Sequence, residues 1–290
     1  MRSTLPITSA GGSLQFLYHN PIGRVILKAL TRPFVSKIVG KYMNSKLSKR
    51  RIKKFIAQNQ IDLSIYQNED WTCFNSFFYR KIQPSARPLG DFANGELISP
   101  ADSKVLIYPI KDGLVMPIKE SEYTVASLLQ NEELAKQYQN GYAIVLRLCV
   151  DDYHRYCFAA SGTKEPDVFI SGKLHTVQPI ALRMRPVFCE NSRSYTVLHT
   201  ELFKDVVQME VGALCVGKIT NHAPTQQCAV RAGQEKGYFE FGGSTIVLLF
   251  SENTLIPDDE LIENTKNDLE TIVRFGEKIG TAVSTHGNHT

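Results

Sequence analysis

From Glu96 to Phe250 the chain is a succession of short apolar runs, each ended within a few residues by Gly, Pro, Asn or Asp. Apolar runs of this length, partly β-branched, make strands. Residues 142–150, 195–199, 206–211, 214–219 and 245–250 are the clearest. Two helices are expected in the same region. One covers residues 125–139. The other follows Pro257, where Asp258, Asp259 and Glu260 favour a helix start. It would bury Leu261, Leu269, Ile272, Val273 and Phe275 and stop at Gly276 or Gly280. Strands in the middle and helices at the ends give an α+β class, with a β-rich core of short, mainly antiparallel strands and a C-terminal helix. At 290 residues, 43% of them hydrophobic and 21% charged, the chain has enough apolar material for a sizeable core and is not wholly disordered. No apolar run approaches the ~20 residues of a bilayer-spanning helix, and the first residues do not read as a secretory signal.

Charge divides the chain in two. Residues 1–60 hold 12 Lys and Arg and no acid; the first acidic residue is Asp62. The remainder carries 21 bases against 29 acids, a net of −8. Residues 1–60 are therefore read as a basic arm and 61–290 as an acidic catalytic body. Within the arm, residues 21–57 have helical apolar spacing, interrupted once at Pro33. Ile22, Val25, Ile26, Phe34, Ile38 and Leu47 alternate with Arg24, Lys28, Lys37, Lys41 and Lys46, and a cluster follows at 49–54. Such a helix suits an anionic membrane surface, apolar side down. A helix packed on its own body has the same pattern. Nucleic acid is disfavoured, because the arm lacks stacking platforms beyond Phe34 and Tyr42.

The six cysteines (Cys73, Cys149, Cys157, Cys189, Cys215 and Cys228) form no Cys-x-x-Cys pair and no metal-ligand spacing, so no metal is expected and the thiols read as buried and reduced. Four short stretches could carry chemistry: Ser99-Pro-Ala-Asp-Ser103, Asp151-Asp-Tyr-His-Arg155, Gly172-Lys-Leu-His175 and Gly242-Gly-Ser-Thr245. Each alone has a plain structural reading, as a turn Asp, a hydrogen-bonding His or a tight turn. A serine hydrolase is disfavoured, because Gly242-Gly-Ser-Thr-Ile246 lacks the second glycine of Gly-x-Ser-x-Gly.

The ordered set is more specific than its members. Phe74-Asn-Ser-Phe-Phe-Tyr-Arg80, Ala86-Arg-Pro88, Ser99-Pro-Ala-Asp102, Tyr153-His-Arg155, Leu174-His-Thr-Val-Gln-Pro-Ile180, Val211-Gly-Ala213 with Val216-Gly217, Gly237 to Thr245 and Gly276-Glu-Lys-Ile-Gly280 occur in that order. Over residues 70–280 this closely resembles the phosphatidylserine decarboxylase proenzyme family. The resemblance implies self-cleavage between Gly243 and Ser244, giving a 1–243 beta chain and a 244–290 alpha chain that stay associated, with a homodimer left open. Ser244 attacks the Gly243 carbonyl, and elimination across the resulting ester leaves a pyruvoyl group on the former Ser244, the enzyme's cofactor. A Schiff base with phosphatidylserine then lets CO₂ leave and yields phosphatidylethanolamine, on the cytoplasmic side of the cell membrane. Asp102 and His154 match the family's catalytic Asp and His. Many members carry a second His three residues after the first; here that residue is Cys157. His154 is therefore favoured as base, with His175 in reserve. The alternatives are an uncleaved, catalytically inactive membrane-binding relative and a pyruvoyl decarboxylase acting on another amine.

Overall fold

A computed structural model describes residues 1–7, 12–118, 121–214, 218–242 and 244–283. Its centre is a ten-stranded antiparallel sheet. In spatial order the strands are Thr4–Pro6, Leu269–Val273, Ser103–Pro109, Tyr142–Leu148, Ser244–Phe250, Lys204–Val211, Arg193–Thr200, Gly162–Lys164 and Cys228–Val230, with Val168–Ile170 also pairing to Arg193–Thr200. The strand Ser244–Phe250 is central and all seven of its residues are buried. Both sheet faces are covered, so this strand is a continuous apolar run where a one-sided strand would alternate.

One face packs Val145, Val247 and Leu249 against the helices Val125–Leu129, Pro179–Met184 and Val187–Glu190. The other packs Leu146, Ile246 and Leu248 against Tyr156 and Phe239 of a three-stranded sheet formed by Ile219–Asn221, Glu235–Phe239 and Arg155–Cys157. A further small sheet joins Leu255–Pro257, Lys278–Ala282 and Glu96–Ile98.

The expected α+β class with a β-rich, antiparallel core is what the chain adopts, but several helices are shorter than their spacing suggested. Residues 125–139 form two helices, Val125–Leu129 and Glu132–Lys136, because Gln130 turns left-handed at φ 49°. The C-terminal helix is only Asp259–Lys266. Ile272, Val273 and their neighbours belong to the strand Leu269–Val273, where pairing with Ser103–Pro109 outweighs the helical spacing. Of the strand expected at 214–219, Leu214 lies in a turn and pairing starts at Ile219; residues 215–217 are outside the described part.

Residues 12–59 form α1 (Gly12–His19), α2 (Pro21–Leu30), α3 (Pro33–Met43), a 3₁₀ turn (Lys46–Arg50) and α4 (Arg51–Asn59). There are thus more breaks than the single one at Pro33. Asn20 caps α2, its side chain accepting from the Ile22 and Gly23 N–H groups, and Pro21 supplies a preset first turn. A Cβ on Gly23 would sit 2.1 Å from the Phe16 carbonyl oxygen, so α1 and α2 can cross only with glycine there.

These helices lie on the body. Tyr18 and Leu27 join the first core, and Met43 and Ile52 pack on Phe74, Phe77 and Phe78. Those phenylalanines belong to α5 (Phe74–Phe78). Burying each such side chain contributes on the order of 2 kcal/mol. The opposite side stays bare: Ile22, Val25, Phe34 and Ile38 are 67%, 71%, 69% and 54% exposed. No described helix is long and apolar enough to cross a membrane.

Candidate active site

Ser244 opens the central strand, opposite Leu148 on one neighbour, while Thr245 pairs with Arg147 on that side and Val211 on the other. Gly242, two residues earlier, has φ 140°, a conformation that a side chain would strain. Gly243, half of the expected cleavage site, lies outside the described residues. Ser244 is fully buried, and neither its Oγ nor the hydroxyl of Thr245 has a hydrogen-bond partner among the described residues. A buried hydroxyl without a partner costs about 1–3 kcal/mol. Two such hydroxyls are adjacent at this strand end.

His154 is also fully buried. Its Nδ1 lies 2.8 Å from the Asp152 carbonyl oxygen, which can only accept. Nδ1 therefore carries the proton and Nε2 keeps its lone pair. Nε2 has no partner among the described residues. Burial pushes the imidazole pKa down to about 3, helped by the charges of Arg80 and Lys104 and opposed by the Asp152 and Gly242 backbones. The ring is thus a neutral base at physiological pH, with the backbone of Gly242 near enough to affect it. The His154 ring lies against Phe78 in a tilted arrangement, with centroids 4.0 Å apart, and Phe78 also meets Phe241 at 5.3 Å.

Asp102 precedes the strand Ser103–Pro109, at the same sheet end as Ser244 but two strands across, about 10 Å at the usual strand spacing. It is buried and accepts a forked pair of bonds from Arg87, at 3.2 and 2.9 Å. It also accepts the Phe275 N–H at 2.7 Å and has Arg274 at 3.6 Å. Neither His154 nor Ser244 is among these partners. The connection to His154 is indirect: the Pro100 carbonyl of the same turn accepts the Cys157 N–H at 3.0 Å, holding the strand that starts just after His154.

His175 lies on the other flank. Its N–H and carbonyl bond to the Asn191 side chain, and Asn191 also donates to the carbonyl of Gly212, next to Val211. Its Nδ1 is 3.3 Å from the Tyr18 hydroxyl and its Nε2 3.4 Å from Glu190. Burial lowers its pKa to about 4. Cys157 is buried with Ile98 and Ala232, and burial drives its thiol pKa upward. That is the wrong direction for a thiolate base. Elsewhere at this end of the sheet Cys149, Asp151 and Asp152 bring potential metal-ligand atoms within 4.8 Å of one another. Asp152, however, is committed to Lys104 Nζ at 2.8 and 2.7 Å.

A family model described as phosphatidylserine decarboxylase matches residues 74–281, well over half of the chain. The chain belongs to the phosphatidylserine decarboxylase family. It is 47% identical over 271 residues to phosphatidylserine decarboxylase proenzyme 2 of Clostridium acetobutylicum, covering 93% of this chain and 91% of that one. It is 43% identical to a phosphatidylserine decarboxylase proenzyme of Clostridium botulinum, with 92% of each chain covered. A proenzyme of the same name from Fusobacterium nucleatum is 40% identical, covering 93% and 91%. With so little of the chain left out, these alignments extend from the decarboxylase region into the helical arm.

Sequence reasoning did not single out individual residues of α5 within this decarboxylase fold. The signal was present in the aromatic run at 74–79, but nothing in that run tells which ring faces His154. The buried pairs Arg147–Glu270, 123 residues apart, and Lys104–Asp152, 48 apart, were likewise out of reach, because their partners meet only across the assembled sheet.

Proposed function

We propose that this chain cleaves itself between Gly243 and Ser244, converts Ser244 to a pyruvoyl group and then decarboxylates phosphatidylserine to phosphatidylethanolamine. The observation that carries the reading is the buried Ser244 Oγ at the head of the central strand, without a partner among the described residues, together with a buried His154 whose Nε2 is likewise unpartnered and whose ring feels the backbone of Gly242, two residues before Ser244. His154 would take the Ser244 proton as the hydroxyl attacks the preceding carbonyl, since a Ser hydroxyl needs such a base. The Asp152 carbonyl and Phe78 fix the tautomer and the ring plane for that step. Asp102 would act as a positioning residue, bracing the turn whose Pro100 carbonyl holds the strand after His154. His175, bonded through Asn191 to the loop at Gly212, is the reserve base.

A pyruvoyl ketone supplies an electrophile for the substrate amine and a sink for the electrons released with CO₂. The buried strand end suits such a group, because water is excluded from it. His154 would then return a proton to the carbon that lost CO₂. The cleaved pieces would stay together: the 244–283 segment contributes the central strand, the strand Leu269–Val273 and the strand Lys278–Ala282, each paired to strands of the other piece.

The arm supports a peripheral membrane reading. Its bare apolar row, with exposed Arg24, Lys28, Lys37 and Lys41, matches an anionic lipid surface, on the cytoplasmic side of the cell membrane. The test of the central claim is an intact-mass spectrum of the purified protein. Two chains are expected, the smaller beginning at residue 244 and blocked at its terminus, with Ser244→Ala giving one uncleaved chain. A single chain from the parent, or a free Ser at the new terminus, would refute it.

A further inference from the structure

Helix α5 reaches both halves of the processing site. Phe78 lies against the His154 ring. One turn earlier, Asn75 is fully buried and its Oδ1 accepts the Phe241 N–H at 3.0 Å. Its amide nitrogen donates to Glu240 Oε2 at 3.3 Å and to Asn44 Oδ1 at 3.2 Å. The chain leaves its strand at Phe239, the Glu240 N–H bonds to the Lys218 carbonyl, and the Phe241 N–H bonds to Asn75. Among the described hydrogen bonds, Asn75 is therefore the last backbone anchor before the two glycines and Ser244.

We propose that Asn75 is a positioning residue for self-cleavage. It fixes where Phe241 leads into Gly242, and so where the Ser244 hydroxyl stands relative to the carbonyl it attacks. This rests on the reading that the chain cleaves before Ser244. Asn75 touches none of the reacting atoms. The need for asparagine follows from the two sides of its amide, where one atom accepts from Phe241 while the other donates to Glu240. Alanine does neither and strands the Phe241 N–H. Aspartate still accepts, but sets a second carboxylate against Glu240. Misplacing a nucleophile by about 1 Å costs roughly 100-fold in rate, so even a partial shift of the turn should be measurable.

The experiment follows cleavage of the full chain over time by intact mass for the parent, Asn75→Ala, Asn75→Asp, Glu240→Gln and the Asn75→Asp/Glu240→Gln pair. Thermal unfolding of each is recorded in the uncleaved Ser244→Ala background. Asn75→Ala and Asn75→Asp are expected to cleave at least about tenfold more slowly, by more than their unfolding midpoints account for. In the double variant the donor and acceptor are exchanged, because the amide introduced at position 240 can donate to the carboxylate introduced at position 75. It should return to near the rate of Glu240→Gln alone. A folded Asn75→Ala that cleaves at the parental rate overturns the proposal. So does a double variant as stable as the parent that still cleaves slowly, and this arm decides the matter if Asn75→Ala does not fold. A parent chain that never breaks between 243 and 244 would instead remove the reading beneath the proposal.

Discussion

The rings of His154 and Phe78 lie 4.0 Å apart, centroid to centroid, inclined by 37°. Phe78 packs at the same time on Phe241, three residues before Ser244. The candidate base and the segment leading to the candidate nucleophile thus rest on one side chain. Phe78→Leu keeps the site apolar but removes the ring contact. Cleavage should slow several-fold, with a stability loss of about 1–2 kcal/mol from imperfect refilling. Time-resolved mass spectrometry and urea unfolding check the two effects separately; unchanged cleavage would show that Phe78 only fills space.

His154 gives a pH prediction with a definite sign. Its folded pKa of about 3 lies below the ordinary 6.5. Between those values the unfolded chain binds a proton that the folded chain refuses, so stability falls as pH drops, by at most about 1.4 kcal/mol per unit. His175, lowered to about 4, acts in the same direction. Asp152, raised to about 6 by burial against the pull of Lys104, acts oppositely between pH 6 and its unfolded value near 4. Glu210 and Glu240, raised by burial, and His199, raised by Asp205, act with Asp152, so the His154 contribution is read by difference: in the Ser244→Ala background, His154→Gln should lose less stability in urea from pH 7 to pH 4 than the protein that keeps His154. Cleavage of the parent should stay flat from pH 8 to 5, because Nε2 remains unprotonated throughout. A rate falling tenfold per unit below pH 6.5 would point to an exposed, ordinary imidazole.

Asp102 tests action at a distance. Asp102→Asn leaves Arg87 facing a neutral amide and weakens the hold on Phe275. Breaking a buried pair in this way costs about 3–5 kcal/mol, so a marked drop in the urea midpoint is expected, with slowed cleavage as the turn around Pro100 loosens. Arg87→Ala should reproduce both effects if bracing is the role. Normal cleavage in Arg87→Ala beside blocked cleavage in Asp102→Asn would show that the carboxylate acts on the reaction more directly.

The strand Ser244–Phe250 was legible because a strand buried on both faces leaves an unbroken apolar run. The end of the helix at Lys266 was not, since residues 269–273 keep helical spacing and become a strand only because an edge of Ser103–Pro109 pairs with them. His154 and Ser244 stood out as motif members, yet the absence of a partner for His154 Nε2 and Ser244 Oγ among the described residues depends on which groups the fold brings near them. Asp102 shows the limit most clearly. The sequence marks it as special, but its attachment to Arg87 and Phe275, 15 and 173 residues away, is a property of the assembled turns.

Cys157 stands three residues after His154, where the resemblance drawn from the sequence leads to the expectation of a second histidine. Burial pushes the Cys157 thiol pKa upward, away from the thiolate that a base would need. Cys157→Ala should therefore cleave like the parent, with a modest loss of stability from the vacated sulfur volume. Loss of cleavage in a folded Cys157→Ala would assign the thiol a part in the reaction.

Deleting residues 1–60 is a poor test of membrane binding, because Met43 and Ile52 cover Phe74, Phe77 and Phe78, and their removal would expose the helix that holds His154. Point changes on the bare side avoid this. Phe34 and Ile38 are one turn apart on α3, and both are mostly exposed. Phe34→Glu with Ile38→Glu should leave thermal unfolding nearly unchanged, since surface substitutions usually stay within about 0.5 kcal/mol. On the proposed membrane reading, the same pair would remove two apolar contacts with lipid and add two charges that an anionic surface repels. Binding to phosphatidylserine-containing vesicles in sedimentation should fall at least tenfold, the equivalent of about 1.4 kcal/mol. Added salt should weaken the parent's binding as well, because counterions screen the attraction of Lys37 and Lys41. Undiminished sedimentation of the double variant would mean that this face is not the one that meets lipid.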